Sequence, residues 1–535
     1  MSNQLTSYTH ELVSQLERAR LEADQRLKAP GQRIHVSEIT SLPAFVYEKV
    51  RNIVDYKDEY LLRKNAIRRF LKRRIVLPKF GGDPQPAALA LVRDLILARY
   101  LPNDAITDQV ASGVGEIIAK YYSLLQTAAQ SGCSAPRWRE QVLGIAAVEC
   151  DAYLNPPGER HAFTSYAYRL IKPAIDFCDA TETEDIRNVQ LVISIQRVLE
   201  RADKDIIAYY LLRHNHHKFF SLPAAEAGAY LGPQLTDALN SILVTQNHRL
   251  GKRVLPRVKR LAAPLIVLRQ TYHDSNGDPR SLFASHGRLE HIVRDTYLKL
   301  WRATKKRIRR KGFHAMAYIF LTKMLLAVLI ELPYERFILG EIAIIPISIN
   351  LLFPPLLMAI ITLMIKSPGK QNRETMVAAV MEAAFGDEPS FYKLRRLKTA
   401  RPAILRRIAY GGIYVITMGI SFAALVTILE KLNFNILSGA LFVFFVSLVS
   451  FFGLGLRAQA RQLKVIVGRD TMSSFIVDFF TLPIVAFGKW LSTTFDRINI
   501  FVFLLDYLFE IPFKTLLKLI EDWFSFLKEK KDEMY

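Results

Sequence analysis

Apolar residues recur at helical spacing through most of the first 313 positions, as in 89–101 (LALVRDLILARYL) and 206–212 (IIAYYLL). Alternating strand-like runs are scarce, so this half reads as all-α. Gly, Pro and Asn/Asp punctuate it at 78–86 (PKFGGDPQP), 155–158 (NPPG) and 273–280 (HDSNGDPR), each predicted to be a loop. Thr183 ahead of Glu184 and Asp185, and Ser41 ahead of a run with Pro43 in its first turn, read as helix starts. No repeat of fixed period is visible. The expectation for 1–313 is a compact helical body, with a sub-boundary near 78–86.

Beyond position 313 the pattern changes. A hydrocarbon layer about 30 Å thick is crossed by roughly 17–25 mostly apolar helical residues. Four stretches meet that length: 315–332, 342–365, 408–429 and 436–456. They predict a four-helix transmembrane bundle over 314–456, with the connection 366–407 outside the membrane. In the last part, 457–535, the apolar segments 473–491 and 498–520 carry Asp478, Pro483, Lys489, Asp506, Glu510 and Pro512. Phe513, Leu516, Leu517, Ile520 and Phe524 make an apolar stripe opposite Lys514, Lys518, Glu521 and Asp522. Amphipathic helices lying in the interface are expected there, with a fifth and sixth span as the alternative. The fold class expected for the whole is all-α: a polytopic helical membrane protein with a large N-terminal cytosolic domain.

Charge orients the chain. The formal net charge is +22. The run 301–311 (WRATKKRIRRK) holds seven basic residues and no acid, just before the first span. The short link after that span has Glu335 and Glu341 against Arg336. The 366–407 connection carries ten basic residues against four acids, and Arg457, Arg461, Lys464 and Arg469 follow the fourth span. Basic loops stay on the cytoplasmic side, so the N-terminus, the 366–407 connection and the C-terminus are expected to be cytoplasmic, at the cytoplasmic (inner) membrane. The first residues are too broken by Thr6, His10, Glu11 and Glu17 to form a cleavable leader. Cys133, Cys150 and Cys178 are odd in number and far apart, which suits a reducing compartment and argues against a disulfide scaffold.

Two sets of residues carry candidate chemistry. Lys323 falls mid-span, where a charge costs roughly 2.5–3.5 kcal/mol on insertion scales and calls for an interior partner. Asn350, Asp478 and Asp506 are the candidate partners, and Pro354 and Pro355 are expected to interrupt the second span as in the broken helices of transporters. Together they outline a candidate membrane pathway; Glu331 reads as an outer-boundary residue. The second set lies in 61–75 (LLRKNAIRRFLKRRI). Arg63, Lys64, Arg68, Arg69, Lys72, Arg73 and Arg74 surround an apolar stripe of Leu62, Ala66, Phe70 and Leu71. That pattern suits an anionic lipid headgroup surface, each nearby cation contributing about 1 kcal/mol; the alternatives are a domain helix with a solvated basic face, or phosphate backbones of nucleic acid, which no reading motif supports. His214 and His217 share a helical face, but Arg213 and Lys218 beside them repel a cation, and no metal site or cofactor is expected. Phosphate loops, nucleophile elbows and H-E-x-x-H are absent from the sequence.

Three passages, 47–75, 322–335 (TKMLLAVLIELPYE) and 351–355 (LLFPP), resemble a family of multi-pass membrane proteins encoded by candidate-phyla bacteria. The resemblance implies a polytopic membrane fold over most of the chain and brings no catalytic residue. The functional expectation is a non-enzymatic membrane protein that presents a helical interaction or scaffold domain to a cytosolic partner or to its own copy. The alternative is a channel or transporter through the Lys323 region.

Overall fold

In the computed structural model the described residues are 4–28, 30–36, 59–73, 84–132, 136–177, 182–341, 343–365, 369–386, 390–392, 395–397, 404–461, 463 and 472–495. The described residues are all-α in class, with 84% of them helical. The N-terminal body contains α1 (Ser7–Lys28), α2 (Glu59–Leu71), α3 (Pro84–Leu97), α4 (Asp108–Gln130), α5 (Pro136–Leu154), α6 (Gly158–Ile171), α7 (Glu184–Leu199) and α8 (Lys204–Asn215). It continues through α9 (Ala224–Leu231), α10 (Leu235–Gln246), α11 (Arg249–Leu261) and α12 (Ala263–Asp274). Caps act where short polar side chains precede apolar periodicity. Thr183 accepts from Ile186 N, and Asp203 accepts from Asp205 N and Ile206 N at 3.1 Å, meeting donors a helix start would otherwise leave open. Residues 155–157 divide α5 from α6, and after α12 the chain turns at 275–278, with Asn276 and Gly277 at positive φ, before a short helix Pro279–Leu282. Ser41 lies outside the described residues.

Two apolar cores build this body, and their sequence ranges interleave. One gathers Leu91, Ile118, Leu143, Ile207 and Leu239, from α3, α4, α5, α8 and α10. The other gathers Leu16 of α1, Phe163, Leu191, Val254 and Leu268, and runs on into the membrane half. The lobes therefore do not divide at 78–86. Because α1 packs against α6, the first helix belongs to the second core.

Helix α13 (His286–Leu326) leaves the second core, where Leu289, Val293, Tyr297 and Trp301 are buried, and continues through two π-helical turns, Ala327–Glu331 and Glu335–Leu339. Body and first span thus share one helix of 54 residues, His286–Leu339. Pro333 lies between the π turns; without an N–H it cannot complete the regular ladder, which accounts for the local widening. The other long apolar helices are α14 (Ile344–Leu363), α16 (Ile404–Lys431) and α17 (Ile436–Arg461), and with the first they are four helices long and apolar enough to cross a membrane. Their outward faces are greasy: Leu321, Ile345, Leu363 and Ile416 are largely uncovered, and Ile436 is 90% exposed. Such a belt is at home in hydrocarbon, not water. Helix α18 (Met472–Phe495) packs against α16 and α17. The 498–520 segment lies outside the described residues.

The 366–407 connection is not a plain loop. It holds α15 (Lys370–Phe385), which returns to the body and buries Met376, Val380 and Phe385 in the second core. Thr6 N donates to Ala384 O at 3.0 Å and Tyr166 Oη to Ala383 O at 2.8 Å. A short parallel pair, β1 (Ile175–Phe177) with β2 (Arg395–Leu397), adds a second tie. After the fourth span, Leu463 O accepts from Asn372 Nδ2 at 3.1 Å. The body is therefore completed by chain that lies beyond residue 313.

Candidate functional site

The first, second and fourth spans meet at Lys323. Its ammonium is fully enclosed, donates to Glu331 Oε1 at 3.0 Å, and stands 5.0 Å from the centre of the Phe445 ring. Glu331, itself 1% exposed, also accepts from Asn350 Nδ2, and that amide donates in turn to Ser438 O at 3.1 Å. Lys323 and Asn350 are joined through a carboxylate and not directly. A lysine paired this way enters the apolar layer as part of a neutral unit, which offsets much of the cost of burying a lone charge. Glu331 Oε2, Asn350 Oδ1 and Ser438 Oγ have no protein hydrogen-bond partner among the described residues, so the cluster keeps acceptor capacity for a water or a small cation.

Glu331 is thus interior, which corrects its reading as a boundary residue. The signal was available: an acid in the same apolar run as a mid-span lysine, eight positions away. What could not be read is the π turn of Ala327–Glu331 that lies between the two. Glu335, counted with the loop charges, is also enclosed. Its carboxylate accepts from Ala343 N at 2.8 Å and Asn435 Nδ2 at 2.9 Å, while Asn435 Oδ1 accepts from Ser438 N at the start of the fourth span. One side chain therefore joins the links on both sides of the bundle's far end.

The second span does not break at its prolines. Helix α14 runs unbroken through Pro354 and Pro355, and Pro346, Asn350, Pro354 and Met358 form a buried stripe four residues apart. Removal of two backbone donors is tolerated because the helix has neighbours on that face. Asp478 lies on α18, and Asp506 is outside the described residues.

Four cations of 61–75 pair with carboxylates of the body: Arg63 and Lys64 are enclosed, Arg68 is partly covered and Lys72 stays exposed. Arg63, 6% exposed, pairs with Asp151 at 2.5 Å; Lys64, equally enclosed, pairs with Asp203 and, at 3.0 Å, with Asp205. Arg68 bonds Asp205 at 3.0 Å and Glu140 at 2.9 Å, and Lys72 bonds Glu140 at 2.6 Å. The carboxylates come from α5 and from the cap and first turn of α8, far along the chain, so local patterning reads as a basic face what is an interior ion-pair network. Arg69 and Arg73 sit half-buried on the same segment; Arg74 is outside the described residues. A void of about 10 Å³ beside the network, lined by Tyr60, Lys64, Asp151, Arg160 and Tyr210, has room for one water and not for a small-molecule substrate.

Elsewhere in the body, Cys150 is an enclosed free thiol, and burial pushes it far above the reactive range. His214 falls in the last turn of α8 and His217 past it. Among the described residues no group of three or more His, Cys, Asp or Glu side chains is placed to hold a metal.

Glu200 has a measurable consequence. Burial raises its carboxyl above the usual carboxylate range, against the weaker pull of the Thr164 hydroxyl at 2.6 Å and of Arg160 and Arg269. A raised folded-state value means the fold holds this proton more tightly than the unfolded chain does. The resulting stability is complete below the unfolded value and is lost as pH climbs through the folded one. Glu200→Gln should therefore melt with the wild type in acid and above it near neutrality, the gap widening with pH in a thermal-melt series; a gap that does not change with pH would mean the carboxyl titrates alike in the folded and unfolded chain.

Comparison with known proteins matched no family model, no curated protein and no solved structure.

Proposed function

We propose that this is an integral protein of the cytoplasmic membrane that holds a helical interaction body at the inner face in a fixed pose. The observation that carries this reading is the continuous helix His286–Leu339, whose first turns are core of the body and whose later turns bury Ile319, Lys323 and Ala327 among the long apolar helices. A flexible anchor would need only a linker. Here α15 and Leu463 tie the body down at two further points, so the bundle acts as a rigid mount. Non-enzymatic presentation also fits the interior of the body, where apolar side chains and mutually paired charges fill the packed helices. A cytosolic protein or a second copy would dock on the outer helices.

Two measurements test the reading. Hydrogen exchange on the full chain in nanodiscs should find slow amides continuously through 301–313, and fast exchange there would remove the rigid mount. Photo-crosslinkers on the outer surface of α4 and α10 in cells should yield discrete products; a purely diffuse pattern would count against a presenting role.

A second reading is favoured by the unpartnered oxygens beside Lys323: a pathway for protons or small cations through the bundle. Wild-type protein in liposomes should then pass protons or an alkali cation, and Lys323→Leu should stop the flux while leaving the fold intact. Absence of wild-type flux ends this reading and leaves the first untouched.

A further inference from the structure

Hydrogen-bonding capacity at the Lys323 node does not balance. An ammonium carries three N–H donors. Lys323 gives one to Glu331 Oε1 at 3.0 Å and turns toward the Phe445 ring, 5.0 Å from Nζ, which leaves a donor over among the described residues. Glu331 Oε2 and Asn350 Oδ1 are acceptors without a donor, and the Ser438 hydroxyl has no partner of either kind among the described residues. All four side chains, drawn from the first, second and fourth spans, are at most 1% exposed. They belong to one knot, because Asn350 Nδ2 donates both to Glu331 Oε1 and, at 3.1 Å, to Ser438 O. Each unpartnered oxygen therefore sits on the same carboxylate, amide or residue as an atom already bonded there.

What the node lacks fixes the kind of occupant. It needs two donors, for Glu331 Oε2 and Asn350 Oδ1, and it offers two, from Lys323 and Ser438. A water gives two hydrogens and accepts two, so it matches on both sides. An alkali cation would serve the oxygens only and would stand beside the Lys323 ammonium. Lys323 and Glu331 together are neutral, so that ion would also leave a net charge inside the bundle, where desolvation is costly. An anion would serve the donors and face the carboxylate. Leaving the groups bare is unfavourable too, at about 1–3 kcal/mol for each buried polar group without a partner.

We propose that Lys323, Glu331, Asn350 and Ser438 form a binding site for a single ordered water, which completes the polar knot between the first, second and fourth spans. This rests on the membrane reading above, because hydrocarbon around the bundle is what makes a charged occupant costly. It also narrows the second reading. A water bonded to both Lys323 and Glu331 can relay a proton, whereas the ammonium holds sodium or potassium off.

Radiolytic hydroxyl labelling of the full chain in nanodiscs tests this, because radicals formed from a bound water oxidise the side chains beside it. Phe445, whose ring lies against Lys323, is the reporter, and at 3% exposure it is closed to bulk solvent. Wild type should show Phe445 oxidised. A pulse given just after mixing into heavy-oxygen water should still add ordinary oxygen, as slow exchange of an enclosed water requires. Phe163, at 2% exposure in the body's apolar core, should stay unlabelled. Ser438→Val removes one bonding group and fills its space, and should drop Phe445 labelling to the level of Phe163. An unlabelled Phe445 in the wild type would overturn the site. So would equal labelling of Phe445 and Phe163, which means general penetration of solvent, or immediate entry of the heavy isotope, which means open exchange. If Ser438→Val does not fold, Ser438→Ala should speed entry of the heavy isotope, and unchanged entry would overturn the place of Ser438 in the site. Thermal melting in matched sodium, potassium and choline chloride checks the occupant. Equal melting is expected; a rise with one alkali cation would put that ion in place of the water, since a ligand of the folded state raises its melting temperature. Failure of the wild-type chain to enter nanodiscs would overturn the membrane reading and this site with it, and is told apart by the absence of any particle before labelling begins.

Discussion

Replacing Glu331 with leucine should lower the stability of the bundle by about 3–5 kcal/mol, the usual cost of removing one member of a buried pair. The cause is not the lost attraction alone. Lys323 would be left enclosed among three helices with the Phe445 ring as its nearest described compensation, and Asn350 would lose the acceptor that joins the second span to the first. Lysine can shed its proton in such a place, which caps the loss. Lys323→Met should cost less, because Glu331 keeps the Asn350 amide. The double variant Lys323→Met/Glu331→Leu should recover most of the loss, since neither charge is then stranded. Melting of the four proteins in one detergent gives the coupling energy directly. If Glu331→Leu melts with the wild type, the pair is not formed in the membrane. If the double variant melts normally and keeps the wild-type flux, the pair is a structural latch and the ions do not depend on it.

A comparable effect is expected in the body. Asp151→Ala should destabilise it by about 3–5 kcal/mol, because Arg63 cannot deprotonate and has no other described carboxylate. One of its terminal nitrogens, Nη2, already lacks a partner, so the site has no spare capacity. Arg63→Met combined with Asp151→Leu should restore most of that stability. Chemical denaturation of the full chain, followed by tryptophan fluorescence, would measure both. The same proteins decide where lipid charge is read. Arg63→Gln should perturb folding and leave binding to anionic vesicles unchanged, whereas a headgroup role for α2 predicts weaker, salt-sensitive binding with stability intact. The second outcome would show that the helix leaves the body to meet the membrane.

Much of this molecule was legible in its residues. The four long apolar helices follow from hydropathy because lipid solvates a helix the same way whatever lies at a distance along the chain, so length and side-chain type suffice. The helix start at Thr183 and the turns within 155–158 and 273–280 were readable for a similar reason: each depends on neighbours within a few residues. Lys323 stood out as a charge in an apolar run; the carboxylate it meets is Glu331, which was not among its expected partners, and Asn350 joins it only through that carboxylate.

What failed depended on distance. The basic stripe of 61–75 looked like a surface because its counter-charges, Glu140, Asp151, Asp203 and Asp205, lie 68 to 141 positions further on, and nothing local reports them. A body bounded at 313 looked complete because α15 is separated from it by two spans, yet its side chains fill the same core. The prolines of the second span looked like a break, since propensity ignores the neighbours that steady a helix lacking two donors.

The sequence by itself determined the four long apolar helices found among the described residues and the local caps, all of which are set by interactions within a turn or two. Tertiary structure alone decided which charges are spent on one another and which remain for an outside partner. An ion pair is a matter of ångströms in space, and a folded chain brings together residues that its linear order holds apart.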